Sequence, residues 1–349
     1  MGDMCNLSII VPIYNGNQNL KSCLEALLNQ NIGFYEIILV DDGSKDKKII
    51  ELLDSYSKKY DHVSVYHIPN QGVWNARKFG ISMAKGKWIG FCDSDDIVLS
   101  HMYEKLFSKG EQDDADMVVC GFNRIDIETN KPFSTEMINW KKDNLDVQSS
   151  IGELCLINTA LWNKIYKKEI LKKVIDFTEP PRIAEDMMFL LSIYPDLKKV
   201  SFVNEALYQY FVHKNSAIQN VKKQDCEKTM LSMALLKDTM QNRNVSDEWI
   251  ELVDIMAFIH IGISLPVSTY GKLMGVENKE ILIDTKRELE NKYVGWKTTK
   301  YLKWSYICSR NTNMCKIKIM QIVYCTGLFP LFLKVYNFMI RKLKKDIKW

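Results

Sequence analysis

Three carboxylates fall within four residues at Asp93-Ser94-Asp95-Asp96, directly behind the apolar run Trp88 to Phe91. Hard oxygen donors so spaced suit Mg2+ or Mn2+, which take one or two protein carboxylates and complete their shell with water and phosphate oxygens. Taken alone, the cluster reads equally well as a solvated Asp/Ser turn that caps the next helix. A second acidic turn, Val40-Asp41-Asp42-Gly43-Ser44, also follows an apolar run. A carboxylate there can accept from a nucleobase imide or a ribose hydroxyl while Gly43 lets the chain turn away, although a plain turn with Ser44 as helix cap explains the same residues. Pro12 and Tyr14 end the first apolar run, where a proline and a ring can flank a flat base or simply pack. Arg77 offers a planar donor fork to phosphate, or a surface salt bridge. Glu185-Asp186, before Met187, Met188, Phe189 and Leu190, puts two acids in a first helical turn, where they could also merely complement the helix dipole.

These residues need elements to carry them. Leu7 to Ile13 predicts a strand, and Leu20, Cys23, Leu24, Leu27 and Leu28 recur at helical spacing. Then follow a strand at Glu36 to Val40, a helix from about Ile49 to Tyr60, a strand at Val63 to Tyr66, a helix from Trp74 to Ala84 and a strand at Trp88 to Phe91. Such alternation predicts βαβ units and a mostly parallel sheet, in which ligands bind outside the carboxyl ends of the strands. Both acidic turns lie at such ends. After Met117 to Cys120 the pattern shifts to Phe122 to Ile127, a turn, and later Lys199 to Val203 and Ala206 to Val212, which predict antiparallel or mixed strands. Beyond about residue 220 the reading is almost wholly helical, so the expected division is a catalytic α/β domain over 1–220 and a helical C-terminal domain over 221–349.

The ordered set Ser8-Ile-Ile-Val-Pro-Ile-Tyr-Asn15, Val40-Asp-Asp-Gly-Ser44, Asn70-Gln-Gly72 with Ala76-Arg77, and Gly86-Lys-Trp-Ile89 with Asp93-Ser-Asp-Asp96 resembles the family-2 glycosyltransferases of the GT-A fold. The resemblance implies a Rossmann-like mixed sheet flanked by helices, with a nucleotide-diphosphate sugar, a UDP-sugar by preference, lying across the strand ends. It implies donor contacts from Pro12, Tyr14, Asp41 or Asp42, Arg77, Asp93 and Ser94, and a Mn2+ or Mg2+ ion on Asp95 with Asp93. It further implies Asp186 as the general base, and hence single displacement with inversion. His213 stands where relatives often carry a basic residue, and it could ligate the metal or touch diphosphate. The activity implied is transfer of a single hexosyl or N-acetylhexosaminyl unit to a glycan or lipid-linked oligosaccharide, since the Gln-x-x-Arg-Trp motif of processive synthases is missing.

Several classes are excluded or disfavoured. Pro12-Ile-Tyr-Asn-Gly16 is not the Gly-x-Gly-x-x-Gly loop of a dehydrogenase. Lysines mostly alternate with acids and no basic motif is interleaved with aromatics, so no nucleic-acid role is expected. The nine cysteines are scattered without a Cys-x-x-Cys pair, which argues for reduced thiols in the cytoplasm and against a zinc site. No secretory signal is recognised at the N-terminus. The segment 316–349 is apolar and basic, so it predicts either a peripheral contact with the cytoplasmic membrane face or an ordinary buried helix. The non-catalytic alternative is a nucleotide-sugar or glycan-binding protein on a degenerate transferase scaffold.

Overall fold

The computed structural model describes residues 5–212, 221–270, 275–310 and 314–343. Two compact units emerge among them. The first holds the residues up to Ser149, those from Thr159 to Val174, and those from Ser192 to Val212; the second holds Ser150–Asn158, Ile175–Leu191 and the described remainder from Val221. The expected division at residue 220 therefore meets an interleaved arrangement. Segments 150–158 and 175–191 group with the helical half because their apolar residues are used there: Ile183 clusters with Val221, Cys226, Leu265 and Ile281.

The first unit is built on a ten-stranded sheet. Its strands are β1 (Leu7–Ile13), β2 (Tyr35–Asp42), β3 (Val63–Ile68), β4 (Trp88–Phe91), β5 (Ile97–Val98), β6 (Met117–Asp126), β7 (Lys131–Glu136), β8 (Asn144–Asp146), β9 (Lys164–Lys167) and β10 (Lys199–Val212). The spatial order is β3-β2-β1-β4-β9-β6-β10-β5, with β7 on β6 and β8 on β10. β3, β2, β1 and β4 run parallel, and β1 is buried along its whole length, as a central parallel strand covered on both faces must be. Its register sets Ile13 beside Asp41, and Asp41 beside His67, so the carboxyl ends of three strands finish on one line.

Three features depart from the expected pattern. β9 inserts antiparallel between β4 and β6, a four-residue strand too short and too lysine-rich to announce itself. The two strands expected at 199–203 and 206–212 are one strand, β10, interrupted by a register shift between Val203 and Ala206. It pairs in parallel with β6, which likewise runs unbroken through Cys120 to Asp126.

Helices α1 (Leu20–Leu28), α2 (Lys47–Lys59), α3 (Val73–Met83) and α4 (Met102–Asp113) connect these strands, and the short α5 (Lys168–Leu171) follows β9. α1 buries Leu20, Cys23, Leu24 and Leu27, the stripe its sequence spacing predicts. α3 packs on β1 and β2, and a methyl group added at Gly80 would fall 2.4 Å from Ile10 Cγ2.

The second unit is helical: α6 (Glu185–Ile193, of which 185–191 belong here), α7 (Lys223–Asn242), α8 (Asp247–Ala257), α9 (Leu265–Thr269), α10 (Gly275–Lys292), α11 (Gly295–Thr298), α12 (Trp304–Arg310), α13 (Cys315–Cys325) and α14 (Phe329–Leu343). A π-helical stretch, Phe258–Ser264, joins α8 to α9. The resulting rod is long and apolar enough to cross a membrane, but 72% of its most apolar window is buried within the protein, which makes it a core helix. The apolar stretch 319–333 is not one helix, because Gly327 at φ +73° turns the chain between α13 and α14.

Gly86 marks the tightest backbone approach in the sheet unit: a Cβ there would lie 2.5 Å from Ser8 N and 2.6 Å from Leu7 C, both main-chain atoms that cannot swing aside. Gly86→Ala should therefore lower the unfolding free energy by about 1–3 kcal/mol, read by urea denaturation, whereas an unchanged midpoint would contradict this packing.

Candidate active site

The edge formed by the ends of β1, β2 and β3 is held by Asp41 and Asp42, which the sequence singled out for ligand contact, together with Asn15, Ser44 and His67, which it did not. Asn15 (φ 56°) and Gly16 (φ 47°) turn the chain at the end of β1. Asn15 N–H donates to Ser44 Oγ at 2.8 Å, and Lys45 N–H donates to Asn15 Oδ1 at 2.7 Å, which binds the β1 and β2 loops together. Pro12 is buried within β1, whereas Tyr14 is 50% exposed beside this seam, so plain packing does not account for its ring.

Asp41 and Asp42 are both buried, and both work as braces. Asp41 Oδ1 accepts Ser44 N–H at 3.0 Å while Oδ2 meets His67 Nδ1 at 2.7 Å, and His67 Nε2 reaches Asp54 Oδ1 at 3.2 Å. Asp42 receives Gln71 N–H and Gly72 N–H on its two oxygens, at 2.8 and 2.9 Å, and its carbonyl accepts Asn70 Nδ2 at 2.8 Å. The Asn70-Gln71-Gly72 turn is thus shaped by Asp42. Gly43, at φ +74°, passes so close that a Cβ would meet Asn70 N at 2.7 Å. Burial raises the Asp42 carboxyl above its ordinary value against the pull of the two N–H donors. The motif forms the turn expected of it, although the cap of the next helix is Asp46, which accepts Lys48 N–H, and not Ser44. His67 escaped the sequence reading; the only signal was its place at the end of β3, in register with Asp41.

The acidic loop after β4 assigns its carboxylates different tasks. Asp96 is fully buried and accepts from Tyr208 Oη at 2.8 Å and from Phe211 N–H at 2.8 Å. Tyr208 Oη in turn accepts Asp93 N–H at 3.2 Å, so one phenol grips both ends of the loop. Trp162 stacks on Tyr208 with centroids 4.2 Å apart and planes at 15°, and on Tyr210 at 5.4 Å. Burial first, then the charges of Asp95 and Asp93, hold the Asp96 carboxyl well above the usual range, with the Phe211 N–H opposing.

Asp93 is paired with Arg77 on α3, Nη2 to Oδ1 at 3.0 Å. The guanidinium side chain is only 4% exposed, which replaces the surface salt bridge allowed by the sequence with a buried one; Asp93 remains 29% exposed. Ser94 and Asp95 are half-buried, and Asn19 Nδ2 holds the Asp95 carbonyl at 2.9 Å. Among the described residues no three His, Cys, Asp or Glu side chains converge to hold a metal by themselves. The donor set suits a cation whose shell is completed by phosphate oxygens and water, the usual habit of Mg2+.

Glu185 and Asp186 lie in the second unit, half-buried in the first turn of α6, ahead of the buried Met187 to Leu190. Ala184, immediately before them, has φ 61°, and its carbonyl accepts Met188 N–H at 3.2 Å. A left-handed alanine costs roughly 1–2 kcal/mol, a strain that persists where the surrounding structure enforces it and that collects at functional sites. His213 lies outside the described residues.

A model of the glycosyl transferase family 2 matches residues 8–189, just over half of the chain. The chain is 35% identical over 214 residues to the uncharacterized glycosyltransferase EpsJ of Bacillus subtilis, a match covering 60% of this chain and 62% of that one. It is 30% identical over 220 residues to the poly(ribitol-phosphate) beta-glucosyltransferase of Bacillus spizizenii, covering 62% of this chain and 33% of that protein. Against these two relatives it spans less than two thirds of their length. The crystal structure of S. aureus TarS 1–349 in complex with UDP-GlcNAc has the same fold, with a TM-score of 0.68 at 17% identity over 92% of each chain.

Two measurements check the braces. Tyr208→Phe removes the hydroxyl that serves both Asp93 and Asp96, so unfolding free energy should fall by about 1–3 kcal/mol in denaturant, and an unperturbed midpoint would speak against the brace. For His67, the Asp41 hydrogen bond raises the ring pKa above that of an ordinary histidine, with burial opposing and Asp54 adding to the rise. A raised histidine stabilises the fold fully below the unfolded pKa and loses that contribution as pH climbs through the folded value. Wild type should therefore exceed His67→Asn in melting temperature by more at pH 6 than at pH 9, though modestly because the ring is 40% exposed and screened. A gap independent of pH would contradict this.

Proposed function

The chain belongs to glycosyl transferase family 2, and from that membership and the geometry of its strand ends we propose an inverting, metal-dependent transferase. It moves one hexosyl or N-acetylhexosaminyl unit from a UDP-sugar to a hydroxyl of a glycan or lipid-linked oligosaccharide in polysaccharide biosynthesis. The observation that carries this reading is the division of labour in the acidic loop, where Asp96 locks the backbone, Asp93 is tied to Arg77, and Asp95 sits half-buried beside them. The bound UDP-GlcNAc of the TarS structure, and the glucosyltransferase name of the Bacillus spizizenii relative, support the donor class.

In this proposal Tyr14 flanks the base at the end of β1, while Pro12, buried within that strand, supports the edge and does not itself meet the base. Asp41 and Asp42 keep the neighbouring loops rigid, so that little order must be created when the nucleotide binds. Arg77 acts on the donor through Asp93, fixing that carboxylate toward the ribose and diphosphate with Ser94. Asp95, with Asp93 beside it, would hold a Mn2+ or Mg2+ ion. Such an ion would supply positive charge to offset the charge gathering on the departing nucleoside diphosphate. Asp186 takes the proton of the acceptor hydroxyl as its oxygen bonds to the anomeric carbon and the bond to diphosphate breaks. One base and no protein nucleophile give a single displacement, hence inversion.

The test is turnover of a panel of nucleotide sugars with Mn2+, with Mg2+ and with chelator. Asp186→Asn should lose about 10²–10⁴-fold in kcat while keeping donor affinity, and Asp95→Ala should lose metal-dependent turnover. No binding of any donor, with or without metal, or full activity in Asp186→Asn, would defeat the proposal.

A further inference from the structure

We infer that α13 and α14 form a docking surface for an anionic lipid bilayer. α14 carries two apolar faces. Phe329, Leu333 and Tyr336 point inward at 4%, 0% and 4% exposure. On the other side Leu328, immediately before the helix, and Leu331, Val335 and Phe338 within it recur at spacings of three, four and three, and are 51–58% exposed. A helix at the edge of a globular unit normally presents charged and polar residues on that outer face. α13 adds Ile319 and Ile322, at 53% and 45% exposure. Six of the fourteen exposed large hydrophobic residues among those described fall within these twenty positions, a concentration beyond scattered surface leucines.

Charge selects the occupant. Residues 316–349 contain eight Lys and Arg and one Asp, a net charge of +7, while the whole chain carries +4, so everything before residue 316 sums to −3. The positive charge is thus concentrated in the stretch of sequence that carries the apolar stripe, with exposed Lys334 inside α14 and five basic residues in the last nine of the sequence. A second copy of this chain would bring a like-charged face against its own, whereas anionic headgroups complement it. The helices have eleven and fifteen residues and Gly327 turns the chain between them. At about 1.5 Å per residue neither reaches across a hydrocarbon core of about 30 Å, so the pair lies in the interface plane with its apolar side in the acyl boundary and its lysines at the headgroups. Such a surface would bring the enzyme to an acceptor carried on a membrane lipid. That consequence rests on the proposed function, but lipid binding needs neither donor nor turnover, so the two can fail separately.

The experiment is co-sedimentation of the full chain with vesicles of phosphatidylglycerol and phosphatidylcholine, and with phosphatidylcholine alone. Wild type should bind the anionic vesicles, less as salt rises, and bind neutral vesicles far more weakly. Replacing Leu331, Val335 and Phe338 together by Ser should weaken anionic-vesicle binding at least about tenfold, with far-UV circular dichroism unchanged because these side chains are already exposed. Lys334→Glu should weaken it about fivefold or more. Equal binding to both vesicle types, undiminished binding by the triple variant, or no vesicle binding together with a wild-type dimer that the triple variant dissolves, would each overturn the inference.

Discussion

The buried carboxylate of Asp96 is the constraint on which the acidic loop depends. A charge or an unpartnered acid in that position would be costly, and the fold answers with two donors from one strand, the Tyr208 hydroxyl and the Phe211 amide. Because the same hydroxyl accepts the Asp93 amide, β10 sets the shape of a loop more than a hundred residues earlier in the chain. The stack of Trp162 on Tyr208 then fixes the phenol in one orientation, so an aromatic from just before β9 contributes to the site without touching a carboxylate. Asp93, Ser94 and Asp95 inherit their positions from this arrangement, and Arg77 completes it from α3.

The same economy governs the other strand ends. Asp41 and Asp42 each commit both carboxylate oxygens to neighbouring segments, through Ser44, His67, Gln71 and Gly72. A surface assembled from short loops would ordinarily lose entropy on ordering around a nucleotide. Here the loops are ordered by hydrogen bonds within the protein itself, which is what preorganisation requires.

Much of this was legible in the sequence. β1 matched its apolar run residue for residue, and the acidic turns landed at strand ends because alternating βα units leave them nowhere else. What was not legible depended on partners distant in sequence. The buried state of Arg77, the lock on Asp96 and the role of Tyr208 arise from pairings 16 to 115 residues apart that no local pattern encodes. β9 was missed because four residues with lysines at both ends lack a readable period. The interleaving of 150–158 and 175–191 with the helical half likewise follows from tertiary burial, not from composition. The apolar tail showed its strength in the sequence, but only the structure separated an inward face from an outward one.

The central claim is that the three acids of one loop do three different things, and Mn2+ binding in the presence of UDP reads this most directly. Titration calorimetry or Mn2+ electron paramagnetic resonance, paired with denaturation, would compare wild type with Asp95→Asn and Asp96→Asn. The account predicts that Asp95→Asn loses UDP-dependent Mn2+ binding at unchanged stability, whereas Asp96→Asn loses stability while still binding the ion when folded. Undiminished Mn2+ binding in Asp95→Asn, or loss of the ion in a fully stable Asp96→Asn, would contradict it.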